Sequence, residues 1–242
     1  MKKYLSLGAL LTDFRNLNNV SQLELAAMLD VDIRTVIRWE KDVTLLKPEK
    51  EETLVEKTFI PYQVIRNLNA SIPIPIYYDF KIRKYSLSEI SIGMPDTAAF
   101  KTHLKEVSPM IKPILDNPQK NIQDILHYHH YLYKAEKPVS ANVILEASKV
   151  LPELNLVIYD NAGYYAGHCV VFPVRNTVYE QLRSRNMVEG ELKVTDLIDR
   201  RMVSNPVFYG YSIYADCNEN FHYMLNPFFM FIRKHQNQIF AG

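Results

Sequence analysis

The sequence predicts an α+β chain of two folded parts: a five-helix bundle over residues 1–69 and a mixed α/β domain over 81–242, joined by a linker at about 70–80. Three observations carry this reading. Apolar residues recur at helical spacing through the first part. The segment Ala70 to Asp79, ASIPIPIYYD, then alternates proline with isoleucine and must be extended, so helix stops there. Beyond it, helical stripes alternate with β-rich runs. At 242 residues, with 48% hydrophobic and 12% aromatic content, the chain has the length and apolar surface for a second core, which argues against a disordered tail.

The helices of the first part follow in order. Leu7, Leu10, Leu11, Phe14 and Leu17 form an apolar stripe that ends at Asn18-Asn19. The start MKKYLSLGALL imitates a signal peptide. It is read instead as part of this first helix, because the stripe runs on through Asp13, Phe14 and Arg15 without a small-residue cleavage site. Ser21 followed by Glu24 is a capping-box sequence and opens the second helix, and Asp32 caps the third. Between them Asp30 stands at a turn position that favours positive φ. Pro48 with Glu49, Glu51 and Glu52 places acids on the positive end of a fourth helix, which continues through Leu54 and Val55 to Lys57. Pro61 opens a fifth, carrying Val64, Ile65 and Leu68.

Residues Gln22 to Glu40, QLELAAMLDVDIRTVIRWE, have the spacing of two short helices crossing over a tight turn. Ala26 is small where the helices cross closely, and Leu25, Leu29, Val31, Val36 and Trp39 supply the apolar contacts. The segment resembles the helix-turn-helix of phage-repressor and Cro-like (C1-type) regulators, the XRE family, over roughly residues 5–69. Gln22, Ala26, Val31, Val36, Trp39 and Glu40 match that family's phosphate-contacting Gln, crossing Ala, core aliphatics and terminal acid. Arg15 and Glu40 occupy the places of a paired Arg and acid. The resemblance implies a transcription regulator that binds double-stranded DNA sequence-specifically.

Arg34 and Arg38 are four apart on the third helix and project from one face, with Thr35 beside them and Val36 and Trp39 turned inward. An arginine so placed can lie along guanine O6 and N7 in the major groove. Ile33 is a candidate contact to a thymine methyl. Gln22 with adjacent backbone amides is a candidate phosphate clamp, and Lys41 a backbone contact. Over the first 70 residues Lys and Arg are nearly balanced by Asp and Glu, so affinity per monomer is expected to be low and a homodimer or second tethered contact to be needed.

In the second part, Asp96 opens an expected helix through His103 and Leu104. Another is expected over Asn121 to Tyr133, and Ser140 caps a third at Ala141 to Val150, stopped by Pro152. LNLVIYD, the turn Asn161-Ala162-Gly163 and YYAGHCVVFPV read as a hairpin. A helix through Val178, Tyr179 and Leu182 follows, then one near Thr195 to Arg201 and a strand at Val207 to Ala215. This order, with IYDNAGYYAGH and YSIYAD, resembles the central portion of the GNAT acyltransferase fold over roughly 140–235. That family cradles the acetyl-CoA pyrophosphate in a glycine-rich loop after a strand. The corresponding DCNENFHYML holds neither glycine nor arginine, so the resemblance implies a GNAT-like regulatory or dimerisation scaffold without catalysis.

No catalytic residue is assigned. Were the domain active, Glu180, Glu189 or Glu191 would be the base and Tyr214 the acid. Acyl-CoA stands as a candidate ligand of a sensor; no other cofactor and no small-molecule effector is assigned. His127, His129 and His130 lack carboxylate or cysteine partners at ligand spacing and read as packing or surface residues, as does His168 in its strand. Cys169 and Cys217 are too few for a disulfide scaffold or a metal site. A formal net charge of +1 gives no polybasic tail, and no apolar run reaches membrane-spanning length, so a soluble cytoplasmic protein without membrane association is expected.

Overall fold

The computed structural model describes residues 1–87, 110–134, 137–160, 162–199 and 206–239. Among them the chain is mixed α and β, with nine helices and two antiparallel sheets. It divides into two compact units, Met1–His103 with Asp216–Asn218, and Leu104–Ala215 with Glu219–Gly242.

The first unit carries helices at all five expected places: α1 (Leu7–Asn18), α2 (Gln22–Met28), α3 (Ile33–Glu40), α4 (Pro48–Thr58) and α5 (Tyr62–Leu68). It is more than a helical bundle, because β1 (Lys2–Tyr4), β2 (Ile76–Asp79) and β3 (Lys84–Ser86) form a three-stranded antiparallel sheet in that order. Two expectations are corrected here. Residues 2–4 are strand and not the start of the first helix, which begins after Ser6 accepts a hydrogen bond from the Ala9 amide. The stretch 70–80 is not wholly linker, since Ile76–Asp79 pairs with β1 in the register Lys2↔Tyr78 and Tyr4↔Ile76.

The physical reason is local. Pro75 is the last proline of the tract, and the residues after it keep the N–H groups a ladder needs. Once paired, β2 alternates, with Ile76 and Tyr78 buried beside Tyr4, Leu7 and Phe14 in one continuous core. Leu17 departs from the expected stripe, being 58% exposed.

The second unit is built on a four-stranded antiparallel sheet in the order β4 (Met110–Pro113), β5 (Leu156–Tyr159), β6 (Tyr165–Val174), β7 (Val207–Ala215). Helices α6 (Pro118–Tyr133), α7 (Ala141–Val150), α8 (Asn176–Arg183) and α9 (Asn218–Ile239) complete it. Successive strand residues serve opposite cores. Val157, Val170 and Phe172 pack with Ile122, Ile125, Val143 and Ile144, whereas Ile158, Cys169 and Val171 pack with Met224 and Phe231 of α9. This two-sided burial explains why β6 reads as an almost unbroken apolar run. A bulge lets Val170 face Ser212 while Val171 faces Gly210, leaving Tyr211 as the extra residue. Fully buried Asn155 ties the end of α7 to the sheet, donating to the Leu151 and Val171 carbonyls at 2.8 and 2.9 Å and accepting from the Val171 amide at 3.1 Å.

The hairpin arms, α7 and β7 lie where expected, and α6 starts three residues early, at Pro118. The helix expected near Thr195 to Arg201 is only a 3-10 turn, Val194–Asp196; Leu197 instead forms an isolated bridge with Val174, 198–199 are irregular, and 200–201 lie outside the described residues. The expected helix at Asp96 through Leu104 and Asn161 of the turn also lie outside them. DCNENFHYML is not a loop: only Asp216 and Cys217 separate β7 from the 22-residue helix α9. Phe221, Met224 and Phe231 recur at helical spacing and pack on the sheet, so tertiary burial favours helix there.

Candidate nucleic-acid interface

The crossing of α2 and α3 is held by bonds that the sequence encodes locally. Ser21 Oγ accepts from the Glu24 amide at 3.1 Å while Glu24 Oε2 accepts from the Ser21 amide at 2.7 Å, closing the capping box. Asp30 takes the left-handed conformation, φ 51°, and the next amide, Val31, donates back to the Ala26 carbonyl at 3.0 Å. Asp32 Oδ1 accepts from the Arg34 amide at 2.8 Å and starts α3. Leu25, Ala26, Leu29, Val36 and Trp39 are all buried in the crossing, with Val31 packed partly against them.

Behind the crossing, Arg15 holds Glu40 in a fork. Its Nε donates to Glu40 Oε1, its Nη2 to Oε2 at 3.0 Å, and its Nη1 to the Val20 carbonyl at 3.2 Å. Their side chains are only 15% and 6% exposed, and the bond to Glu40 raises the arginine pKa further. Gln22 joins this group, its Nε2 donating to Glu40 Oε2 at 2.6 Å. The end of the third helix is thereby fixed to the first helix and to the start of the second.

The opposite side of α3 is open. Arg34, Arg38 and Lys41 are exposed, and Thr35 is half-buried beside them. Two of the expected contacts are qualified by the packing. Ile33 is half-buried against the core, so only part of its side chain faces outward. Gln22 sits at the start of α2 as expected, but its side-chain amide donates to Glu40.

Three residues that position this surface escaped sequence reasoning. A Cβ on Gly8 would lie 2.5 Å from the Glu40 carbonyl oxygen, so only glycine lets α1 approach the end of α3 this closely. The Gly8 amide donates to Asp42 Oδ1 at 2.8 Å, and Asp42 itself is left-handed at φ 54°. Lys50 reaches back to the Leu29 and Asp30 carbonyls at 2.9 and 3.0 Å, placing a cation at the negative end of α2. The one available signal was a glycine inside an otherwise helical stripe.

In the second unit the residues considered for acyl transfer are engaged in local structure. Glu180 pairs with exposed Arg183 at 3.3 Å, Glu189 accepts from the Tyr209 hydroxyl, Glu191 accepts from the Val188 amide at 3.1 Å, and Tyr214 is buried beside Tyr128, ring centroids 5.2 Å apart. The histidines separate as well. His127 and His130 are exposed, whereas His129 is 2% exposed, its ring stacked on Tyr211 at 4.3 Å with neither nitrogen hydrogen-bonded among the described residues. Burial lowers its pKa. His168 is fully buried between the Tyr165 hydroxyl at Nδ1 and Ser212 Oγ, 2.6 Å from Nε2, and burial pushes its imidazole down to about 3. The Cys169 thiol is pushed up to about 12 by burial, which leaves it unreactive. Among the described residues no group of three or more His, Cys, Asp or Glu side chains is placed to hold a metal ion, and no helix is long and apolar enough to cross a membrane.

Comparison with known proteins finds no matching family model, no matching curated protein and no matching solved structure.

Proposed function

We propose that the chain is a sequence-specific transcriptional regulator of the XRE type that reads the DNA major groove with α3 and uses its second unit for regulation or dimerisation. The observation that carries this is the two-sided character of α3. One face is anchored through Val36, Trp39 and the Arg15–Glu40–Gln22 group, while Arg34 and Arg38 stand exposed four residues apart on the other. A rigid helix with two outward arginines is what bidentate contact to guanine edges requires. Thr35 and Ile33 flank them, with Gln22 and Lys41 at the edges for phosphate oxygens.

The test is selection of bound sequences from genomic fragments with purified protein at near-physiological salt. Enrichment of a two-fold-symmetric motif supports a regulator acting as a homodimer; uniform recovery of all fragments refutes sequence-specific reading.

A second reading, an acyltransferase with a DNA-binding appendage, draws on chain order. A strand, two helices, an antiparallel hairpin, a third helix, a further strand and a long helix follow one another, an order that supports a GNAT-like scaffold. The absence of glycine from 216–225 and the local engagement of Glu180, Glu189 and Glu191 favour the non-enzymatic version, in which acyl-CoA is at most an effector. Turnover of acetyl-CoA with amine acceptors would reverse that preference. If acyl-CoA is an effector it must alter operator affinity, and equal affinity with and without it refutes that role.

A further inference from the structure

Helix α9 and the turn that precedes β5 border an open cavity of about 510 Å³, lined by Glu153, Pro227, Met230, Phe231, Arg233 and Lys234. Pro227, Met230, Phe231 and Lys234 stand at i, i+3, i+4 and i+7 and so form one stripe of the helix. The floor is fixed from beneath. Phe231 is 4% exposed and shares a core with Leu151 and Leu154, the buried residues on either side of the Pro152-Glu153 turn, so both walls rest on the same packing. Met230, 58% exposed, and half-buried Pro227 carry the apolar floor outward, and Pro227 adds no amide to it. A space of this size, mostly apolar with a few polar groups at its edge, has the make-up of a small-molecule site.

Charge selects the occupant. Elsewhere in this unit helical cations are paired, Lys120 with Asp124, Lys149 with Glu146 and Arg183 with Glu180. Arg233 and Lys234 are exposed at the cavity and make no ion pair among the described residues. Two cations against the one acid, Glu153, leave the lining net positive. A hydrocarbon tail covers the floor and an anionic head meets the cations, whereas a cationic amphiphile would be repelled and a neutral one would leave the charges unused. We propose that this cavity binds a single-chain aliphatic carboxylate, its tail along Pro227, Met230 and Phe231 and its carboxylate on Arg233 and Lys234. The guanidinium offers the head a two-pronged contact, the ammonium adds a point charge, and Glu153 opposes the head. The assignment goes beyond the DNA-binding reading and does not depend on it.

Calorimetric titration of the full chain with octanoate, octanol and acetate tests it. Octanoate is expected to bind saturably at a single site, and octanol and acetate about tenfold more weakly or worse, because each lacks one half of the match. Arg233→Gln with Lys234→Gln should loosen octanoate by about tenfold and leave octanol unchanged, whereas Glu153→Gln should tighten octanoate. Met230→Asp should abolish octanoate binding with circular dichroism unchanged. Should that variant misfold, the paired Arg233 and Lys234 substitution, at exposed positions, decides the matter. No saturable octanoate binding, octanol bound as tightly as octanoate, or octanoate affinity unmoved by the charge substitutions overturns the proposal. Because no DNA is present, such a failure leaves the DNA reading to its own selection experiment.

Discussion

The two units differ in which charged and titratable groups they leave in solvent. In the first, Arg15 and Glu40 are largely sealed behind the end of α3, Glu51 is sealed with Asn69 and Arg83 against the Thr58 carbonyl, and yet Arg34 and Arg38 of α3 are left in solvent. In the second, His129, His168, Asn121 and Asn155 are sealed inside, while the exposed acids pair with near neighbours such as Glu180 with Arg183 and Glu146 with Lys149. A surface that is to meet a polyanion needs cations held on a rigid support and still hydrated. A sealed polar interior instead specifies packing, and its imidazoles, kept neutral, offer no base to a solvent-borne substrate. The contrast is what the proposed reading needs, with recognition in the first unit and regulation or dimerisation in the second.

The sharpest way to break the contrast is to remove the inner anchor. Glu40→Ala strands the Arg15 guanidinium in a largely buried place and should destabilise the first unit by about 3 kcal/mol. Trp39 is the one tryptophan in the chain, so a denaturant melt followed by its emission reads this unit alone. An unchanged midpoint would reduce the fork to a surface pair.

Next, Arg34→Ala and Arg38→Ala should each weaken a selected operator by about 1–3 kcal/mol and relax its base preference while leaving the Trp39 melt unmoved. Equal weakening on all sequences would make them phosphate contacts.

The sealed histidines give a pH signature confined to the second unit. In the unfolded chain His168 takes up a proton near 6.5, whereas the folded imidazole stays neutral down to about 3, so between those values the unfolded state binds more protons. Stability is therefore full above 6.5 and falls as pH falls below it, by about 1.4 kcal/mol per pH unit for that proton. The lowered pKa of His129 acts in the same direction. Hydrogen exchange of β6 amides at pH 7.5 and 5.5 measures the slope. His168→Gln should reduce it without abolishing it, and an unchanged slope would remove His168 from the account.

The smallest effect is expected from Asp32→Ala, which removes the cap of α3 and should cost about 1 kcal/mol in the Trp39 melt, with operator affinity falling only as far as the helix start frays.

How much of this was legible follows from the range of each interaction. The capping box of Ser21 and Glu24, the Asp32 cap, the left-handed Asp30 and the hairpin arms all involve partners a few residues apart, and each appears where residue chemistry puts it. The Arg15–Glu40 pair, 25 residues apart, was legible only through a family resemblance. The sheet of β1 with β2 was missed because Lys2–Tyr4 carries no strand signal of its own and its partner lies more than 70 residues on, hidden behind a proline tract. The same holds for Gly8, whose role depends on a carbonyl 32 positions away.

By itself the sequence determined where helices of the first unit start and stop, which face of α3 turns inward, and that β6 is apolar throughout, because these depend on backbone bonds and side-chain periods within a few residues. Only the tertiary structure decided that 76–79 is strand, that 218–239 is one helix, and that His129 and His168 are sealed and neutral. Those outcomes turn on which distant surface arrives to remove water, and burial from water is a property of the assembled fold, not of a segment.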